Sequence, residues 1–405
     1  MRGCTWLSRS PTLFESLERL PPDAIIGLIG EYQKDPRDTK VDLGIGVYRN
    51  DKGETPVLDV VKTAERRLLE SQTSKSYIGS AGQADFNEAM RDMTLAGSVA
   101  NDRVAMLQTP GGSGSLSVAA GVVLRSQGSS TLWASAPTWA NHIPLLGGAG
   151  LQMRTYEYYD AESHSLRLEA MLDSLRRIPR GDLVLLHACC HNPTGVDPDE
   201  DAWRAIAEVV IERELLPLVD IAYQGFATDI DADAFIIRHL AERVPEMIVC
   251  NSCSKNFGLY RDRVGALLIV TPDGATCEAV QSQANNFVRT IYSMPPDHGA
   301  AVVAMILNNE SLRADWLAEL KEMRDRLGDL RALLHDALGV AVPGRDFSHI
   351  ARAKGMFSFL GVSEDQVEHL KQDHGVYMVG SGRINIAGIT AGNVKHIAEA
   401  VAAVL

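Results

Sequence analysis

From about residue 57 to residue 300 the chain alternates short apolar runs with helical stretches, and each run stops at a polar or glycine-rich turn. The runs cover residues 106–109, 131–136, 183–190, 216–221, 247–249 and 266–270. Apolar runs of this length read as buried strands, and strands alternating with helices build a mostly parallel sheet covered on both faces. Helices are predicted over 56–72, 86–95, 115–124, 199–214 and 233–243. At residue 309 the pattern changes. A long amphipathic helix over 309–338 carries Leu312, Trp316, Leu320, Met323, Leu327, Leu330 and Leu334 on one stripe. Short strands at 356–359 and 377–379, a helix at 364–373 between them, the string 382–388 and a closing helix form a smaller α+β unit.

With 405 residues the chain has room for two domains. The predicted division is an N-terminal arm (1–20), a large α/β domain (56–309) and a small domain built from 21–55 together with 310–405. In the front part, 12–35 reads as an amphipathic helical segment interrupted by Pro21 and Pro22. Residues 41–47 read as an apolar strand containing Gly44 and Gly46. A glycine inside a strand marks a bend or a close backbone approach, here either a plain hairpin edge or an edge that touches substrate.

The net charge of −13 argues against a nucleic-acid or anionic-membrane partner, and no apolar run approaches transmembrane length. Residues 1–11 hold two arginines and no acid, but the stretch is short and ends at Pro11. It reads as a loose arm rather than a targeting signal, so a cytoplasmic location is expected. The six cysteines read as reduced and buried. Cys250-x-x-Cys253 and His187-Ala188-Cys189-Cys190-His191 carry metal-like spacing. Neither has a matching second half, and no metal is expected.

The chemistry centres on the stretch 248–265. Lys255 follows a buried strand directly, where ligands bind in open α/β sheets. Partial burial lowers an amine's pKa and makes it a nucleophile toward aldehydes. Ser252, Ser254 and Arg263 add hydroxyls and a fixed positive charge suited to a phosphate. A Schiff-base lysine beside phosphate donors is what pyridoxal phosphate requires. Strand, Pro110-Gly111-Gly112-Ser113-Gly114, then helix is a second candidate anion site, with backbone N–H groups and a helix dipole behind them. Trp139 closes one strand, either as a ring-stacking aromatic or as a core residue. Asp220 lies inside an apolar strand and needs a buried partner or a function. Tyr223 follows three residues later.

Five strings then carry a resemblance: Leu-Gly-Ile-Gly-Val-Tyr (43–48), His-Asn-Pro-Thr-Gly-Val-Asp-Pro (191–198), Asp-x-Ala-Tyr-Gln-Gly-Phe (220–226), Ser-x-Ser-Lys-Asn-Phe-Gly-Leu-Tyr (252–260) and Gly-Arg-Ile-Asn-Ile-Ala-Gly (382–388). From about residue 20 to the end the chain resembles the class I pyridoxal-phosphate aminotransferases that act on aspartate and aromatic amino acids. The resemblance implies the fold-type I transferase, with a seven-stranded, mostly parallel sheet sandwiched by helices. It also implies a homodimer with shared active sites. Lys255 resembles the lysine that holds the cofactor covalently and shuttles the proton, and Asp220 the carboxylate that pairs with the ring nitrogen. Tyr223 and Asn192 resemble the groups that hydrogen-bond the ring's phenolic oxygen, and Trp139 the aromatic that stacks on the ring. The phosphate site would comprise Gly112, Ser113, Gly114, Ser252, Ser254 and Arg263, with Tyr77 of the partner subunit. For substrate, Arg383 resembles the clamp on the α-carboxylate, and Arg289 of the partner subunit the one for a distal carboxylate. Gly46, Trp139, Asn192 and Phe357 complete the implied substrate site.

The sequence departs from the aspartate-specialist pattern at Ser76, Ser113, Cys253 and Met294. Met294 stands where an asparagine would help hold Arg289, and methionine adapts to ring-shaped ligands. Aromatic amino acids and aspartate are therefore both expected as donors, with 2-oxoglutarate as acceptor in a ping-pong reaction. Val47 and Thr55 fit the aspartate pattern, and a narrow aspartate aminotransferase is the alternative. A decarboxylase or lyase on the same fold is disfavoured by Arg289 with Arg383, and a non-enzymatic binding protein by Lys255.

Overall fold

The computed structural model describes residues 12–20 and 24–405, and its centre is one seven-stranded sheet. The strands are β1 (Val104–Pro110), β2 (Thr131–Ala136), β3 (Gln152–Glu157), β4 (Leu183–His187), β5 (Leu216–Ile221), β6 (Met247–Ser252) and β7 (Val264–Val270). Their spatial order is β1-β7-β6-β5-β4-β2-β3. Only β7 runs against its neighbours, so the sheet is mostly parallel as expected.

These strands are apolar at successive positions because both faces are covered. In β4, Leu183 and Leu185 enter the core shared with helix α1 (Gly111–Gln127) and helix α2 (Gly274–Ile291), while Val184 and Leu186 enter the opposite core. Strand β3 escaped the reading of apolar runs for the converse reason. It lies at the sheet's edge, and Tyr156 is its one buried side chain.

Three sequence expectations change at their boundaries. The glycine-rich string is the first turn of α1 rather than a loop ahead of it, so the helix starts at Gly111 instead of residue 115. The helix expected over 12–35 is confined to Ala24–Lys34. Residues 13–16 only turn, and Leu13, Phe14, Leu17 and Leu20 are exposed, without the packing that would stabilise a helix there. Residues 1–11, which include Cys4 and most of the expected arm, lie outside the described residues. The strand expected over 41–47 shrinks to Val41–Asp42 because the Asp42 carboxylate accepts from the Gly44 amide (2.8 Å) and turns the chain.

Helix α3 (Glu310–Ala341) buries the whole predicted stripe, and the Asn309 side chain caps its start. Beside it the front and back of the chain interleave. Val41–Asp42 pairs with Val376–Tyr377, and the Asn385 amide donates to the Leu43 carbonyl (2.7 Å). Phe357–Phe359 pairs antiparallel with Arg383–Asn385, which carries Arg383 toward the sheet. No described helix is long and apolar enough to cross a membrane.

Candidate active site

The carboxyl ends of β4, β5 and β6 and the first turn of α1 open onto a cavity of about 300 Å³. At one end Gly112, Ser113, Ser252, Ser254 and Arg263 line it. The first amides of a helix have no intrahelical partner and point outward, so α1 presents donors to an anion here. Arg263 sits at φ +56° and donates to the Ser254 hydroxyl (3.3 Å) and the Tyr260 carbonyl (3.2 Å). The guanidinium passes so close to Gly111 (φ +72°) that a Cβ there would lie 2.4 Å from its Nη2. That cradle of amides, hydroxyls and one fixed cation fits a phosphate.

Lys255, Asp220, Tyr223, Asn192 and Trp139 line the middle of the cavity. Burial lowers the Lys255 amine to about 8, opposed by attraction to Asp220. A usable neutral fraction therefore exists near neutral pH. Burial pushes the Asp220 carboxyl up, but the hydrogen bond from His142 and attraction to nearby groups including Lys255 outweigh it and hold it below its ordinary value. Asp220 is thus ionised. Burial drives the Tyr223 phenol far up, so it stays protonated and can donate. Lys255 Nζ lies 4.9 Å from the centre of the Tyr223 ring.

At the far end Gly46, Phe357 and Arg383 line the cavity. A Cβ on Gly46 would meet Phe357 Cζ at 2.9 Å, so only glycine lets the backbone approach that ring. Arg383 is 6 % exposed, with its guanidinium carbon 4.3 Å from the Phe357 ring centre. Its Nη2 donates to the Gly44 carbonyl (2.6 Å), while its Nε has no partner among the described residues. A buried guanidinium with an unused donor is prepared for a carboxylate.

Sequence reasoning missed the groups behind Asp220. His142 Nε2 lies 3.1 Å from Asp220 Oδ2, His142 Nδ1 2.8 Å from Thr138 Oγ1, and Thr138 Oγ1 3.0 Å from His187 Nε2. A carboxylate only accepts, so His142 Nε2 carries the proton facing it. With Nδ1 of His142 unprotonated, Thr138 donates to it and accepts from His187 Nε2–H. Burial lowers His187 to about 3, consistent with a neutral ring. The one signal available in sequence was a polar cluster, Pro137-Thr138-Trp139-Ala140-Asn141-His142, at a strand end. Tyr260 also lines the cavity, its hydroxyl accepting from the Tyr48 amide (2.9 Å).

Three expected residues stand outside this cavity. Gly114 packs in the first turn of α1, where a Cβ would lie 2.7 Å from Pro110 Cδ. It serves the turn's close packing and does not line the cavity. Tyr77 is 92 % exposed, and Arg289 lies exposed near the end of α2 with Nη1 donating to Ser293 Oγ. Cys250 and Cys253 diverge into the two different cores, and Cys253 Sγ sits 3.8 Å from Met90 Sδ. Among the described residues no group of three or more His, Cys, Asp or Glu side chains could hold a metal ion.

A nucleophilic lysine, an ionised carboxylate and an anion cradle around one cavity define a site for pyridoxal phosphate. A model of the family "Aminotransferase class I and II" matches residues 38–401. An aspartate aminotransferase of Salmonella typhi is 45% identical over 97% of this chain and 100% of its own. An aromatic-amino-acid aminotransferase of Pseudomonas aeruginosa is 44% identical over 96% of this chain and 98% of its own. Among solved structures, an aromatic-amino-acid aminotransferase of Burkholderia pseudomallei, covalently bound to pyridoxal phosphate, superposes with a TM-score of 0.95 at 40% identity, covering 98% of this chain and 100% of that one. The chain belongs to the class I and II aminotransferases. It is a pyridoxal-phosphate-dependent transaminase whose substrates are amino acids and oxo acids.

Proposed function

We propose that this transaminase takes both aspartate and aromatic amino acids as donors and returns the amino group to 2-oxoglutarate in two half-reactions. The observation that carries this reading is the contrast between the two arginines. Arg383 is buried and anchored on Gly44, whereas Arg289 is exposed on the single subunit and, among the described residues, its side chain bonds Ser293 just past the end of its own helix. An anchored guanidinium suits the α-carboxylate that every amino acid carries. An arginine held through one short side chain suits a substrate side chain that is a carboxylate in one case and a ring in another. Ser293 supplies the hydrogen bond that Met294 cannot. The relatives named for aspartate and for aromatic amino acids are equally similar to this chain, which supports both donors.

Pyridoxal phosphate supplies an electron-withdrawing ring that delocalises the electron pair left when the α-proton departs. Around it, α1, Ser252, Ser254 and Arg263 would hold the phosphate. Trp139 would stack on the ring, and Tyr223 and Asn192 would donate toward its phenolic oxygen. Asp220, kept ionised by His142, would pair with the ring nitrogen. Lys255 Nζ, with its pKa lowered by burial, would take the proton from the substrate's α-carbon and hold it for return. Arg383 orients the α-carboxylate, and Phe357 beneath its guanidinium excludes water. Exposed Tyr77 and Arg289 complete the site from the partner subunit of a cytoplasmic homodimer, and the chain divides into an arm, a large domain and a small domain at about residues 20, 55 and 309.

The test is an absorption spectrum of the holoenzyme with aspartate added first and phenylalanine added to a fresh sample. Both are expected to convert the lysine-bound band to the amine form. Conversion by aspartate alone would overturn the dual reading in favour of a narrow aspartate enzyme.

A further inference from the structure

On the side of Lys255 and Tyr223 away from the cavity lies a fully buried layer of side-chain amides. Gln224 follows Tyr223, and Asn256 follows Lys255; Asn251 stands near the end of β6. All three are completely buried. Asn256 Nδ2 donates to the Gln224 backbone carbonyl (3.2 Å). Gln224 Oε1 accepts from Asn251 Nδ2 (3.3 Å), and Gln224 Nε2 donates to the carbonyls of Met93 (3.2 Å) and Ile230 (2.9 Å). The Asn256 carbonyl accepts from Trp316 Nε1 (2.7 Å), which ties the layer to α3. The strands that lead into the two loops are parallel neighbours in register, Asp220 opposite Cys250 and Ile221 opposite Asn251. Beyond the last paired residues no ladder connects the loops, and the amides do so instead.

We propose that Asn256 and Gln224 are positioning residues for the transamination step. They strap the Lys255 loop to the Tyr223 loop and thereby set where the lysine amine stands relative to the phenol. The proposal rests on the assignment of Lys255 and Tyr223 given above. Two features point to a role beyond stability. The amide oxygens of Asn251 and Asn256 accept no hydrogen bond among the described residues. A core that keeps half-satisfied amides forgoes stability that apolar side chains of the same shape would supply. Moreover, Asn256 and Gln224 are the residues directly after the reactive pair, and they meet through the bond from Asn256 Nδ2 to the Gln224 carbonyl. A strap at that point converts a small shift of either loop directly into a change of the Lys255–Tyr223 distance. The amine's proton affinity depends on its surroundings, so the same shift moves its titration.

The experiment compares wild type, Asn256→Ala, Gln224→Met and, as a core truncation remote from the strap, Leu338→Ala, all as holoenzymes. Each is followed by thermal unfolding, by pH titration of the visible band of the lysine-bound cofactor, and by half-reaction kinetics with aspartate. Asn256→Ala and Gln224→Met are expected to move the titration midpoint by at least half a pH unit and to lower kcat about tenfold, with KM changed less than threefold. Leu338→Ala is expected to lower the melting temperature alone. If the strap variants also lose only melting temperature, they are structural residues and the proposal is overturned. If Asn256→Ala does not fold, Asn256→Leu, which keeps the volume and removes the donor to the Gln224 backbone carbonyl, decides by the same criterion. Absence of a lysine-bound band in the wild type, or persistence of that band in Lys255→Ala, would instead overturn the assignment of Lys255.

Discussion

Arg383→Lys is the most informative single perturbation of the substrate end. Arginine presents a planar fork, and here Nη2 already serves the Gly44 carbonyl at 2.6 Å while Nε remains unpaired. The fork therefore bonds backbone and substrate at once. A lysine places one ammonium on a flexible stem and cannot reproduce both directions. Loss of one charge-assisted hydrogen bond costs about 1.5–3 kcal/mol, and the buried oxygen left unpaired costs about 1–3 kcal/mol more. Together these predict about 2.5–6 kcal/mol, or roughly two to four powers of ten in kcat/KM. The assay is single-turnover conversion of the cofactor band by aspartate and by phenylalanine. Both should fall by the same factor, since both present the same α-carboxylate, whereas Arg289→Ala should impair aspartate alone. A loss below about tenfold for both donors would refute the assignment of Arg383 as the carboxylate clamp.

Other outcomes follow from the same structure. Lys255 has a folded-state pKa of about 8, below that of an exposed lysine, so the unfolded cofactor-free chain binds more protons above pH 8. Its contribution to stability therefore rises with pH through that window, up to about 10.4. Lys255→Met should be more stable than wild type in urea at pH 7.5, with the gap narrowing at pH 9.5; a constant gap counts against the lowered pKa. Gly111→Ala puts a Cβ into the Arg263 guanidinium at a positive φ and should weaken cofactor binding about tenfold or more, as read by fluorescence titration. An unchanged affinity would remove Arg263 from the phosphate site. Trp316→Ala removes a ring stacked on Phe257 (4.4 Å between centres) and a hydrogen bond to the Asn256 carbonyl. It should cost about 3–5 kcal/mol in denaturant unfolding, and a loss under about 1 kcal/mol would contradict the packing argument.

Much of this site was legible because its parts are local. Lys255 with Ser252 and Ser254, the α1 start with Gly112 and Ser113, and Arg383 beside Asn385 each lie within a few residues of one strand or helix end. Strand termini on one side of a parallel sheet must converge, so short strings suffice to place Lys255 and the α1 start in a common cavity, whereas Arg383, on a separate two-stranded sheet, was reached through the resemblance. The two-faced burial of β4, β5 and β6 was equally visible, since a strand covered on both sides has to be apolar at successive positions.

What the tertiary structure alone decided is whatever depends on pairs distant in sequence. His142 and Asp220 are 78 positions apart, Thr138 and His187 are 49 apart, and nothing in either local pattern announces the contact. Gln224 and Asn256 read as ordinary polar residues until the register of β5 against β6 brings them together. The edge strand β3 and the short helix Ala24–Lys34 show the same limit from the other side. The local pattern left one unseen and overextended the other, because what stabilises such segments is the surface available to pack on them. Local chemistry thus named the cofactor, while long-range packing chose the histidine that keeps Asp220 ionised and the amides that hold Lys255 against Tyr223.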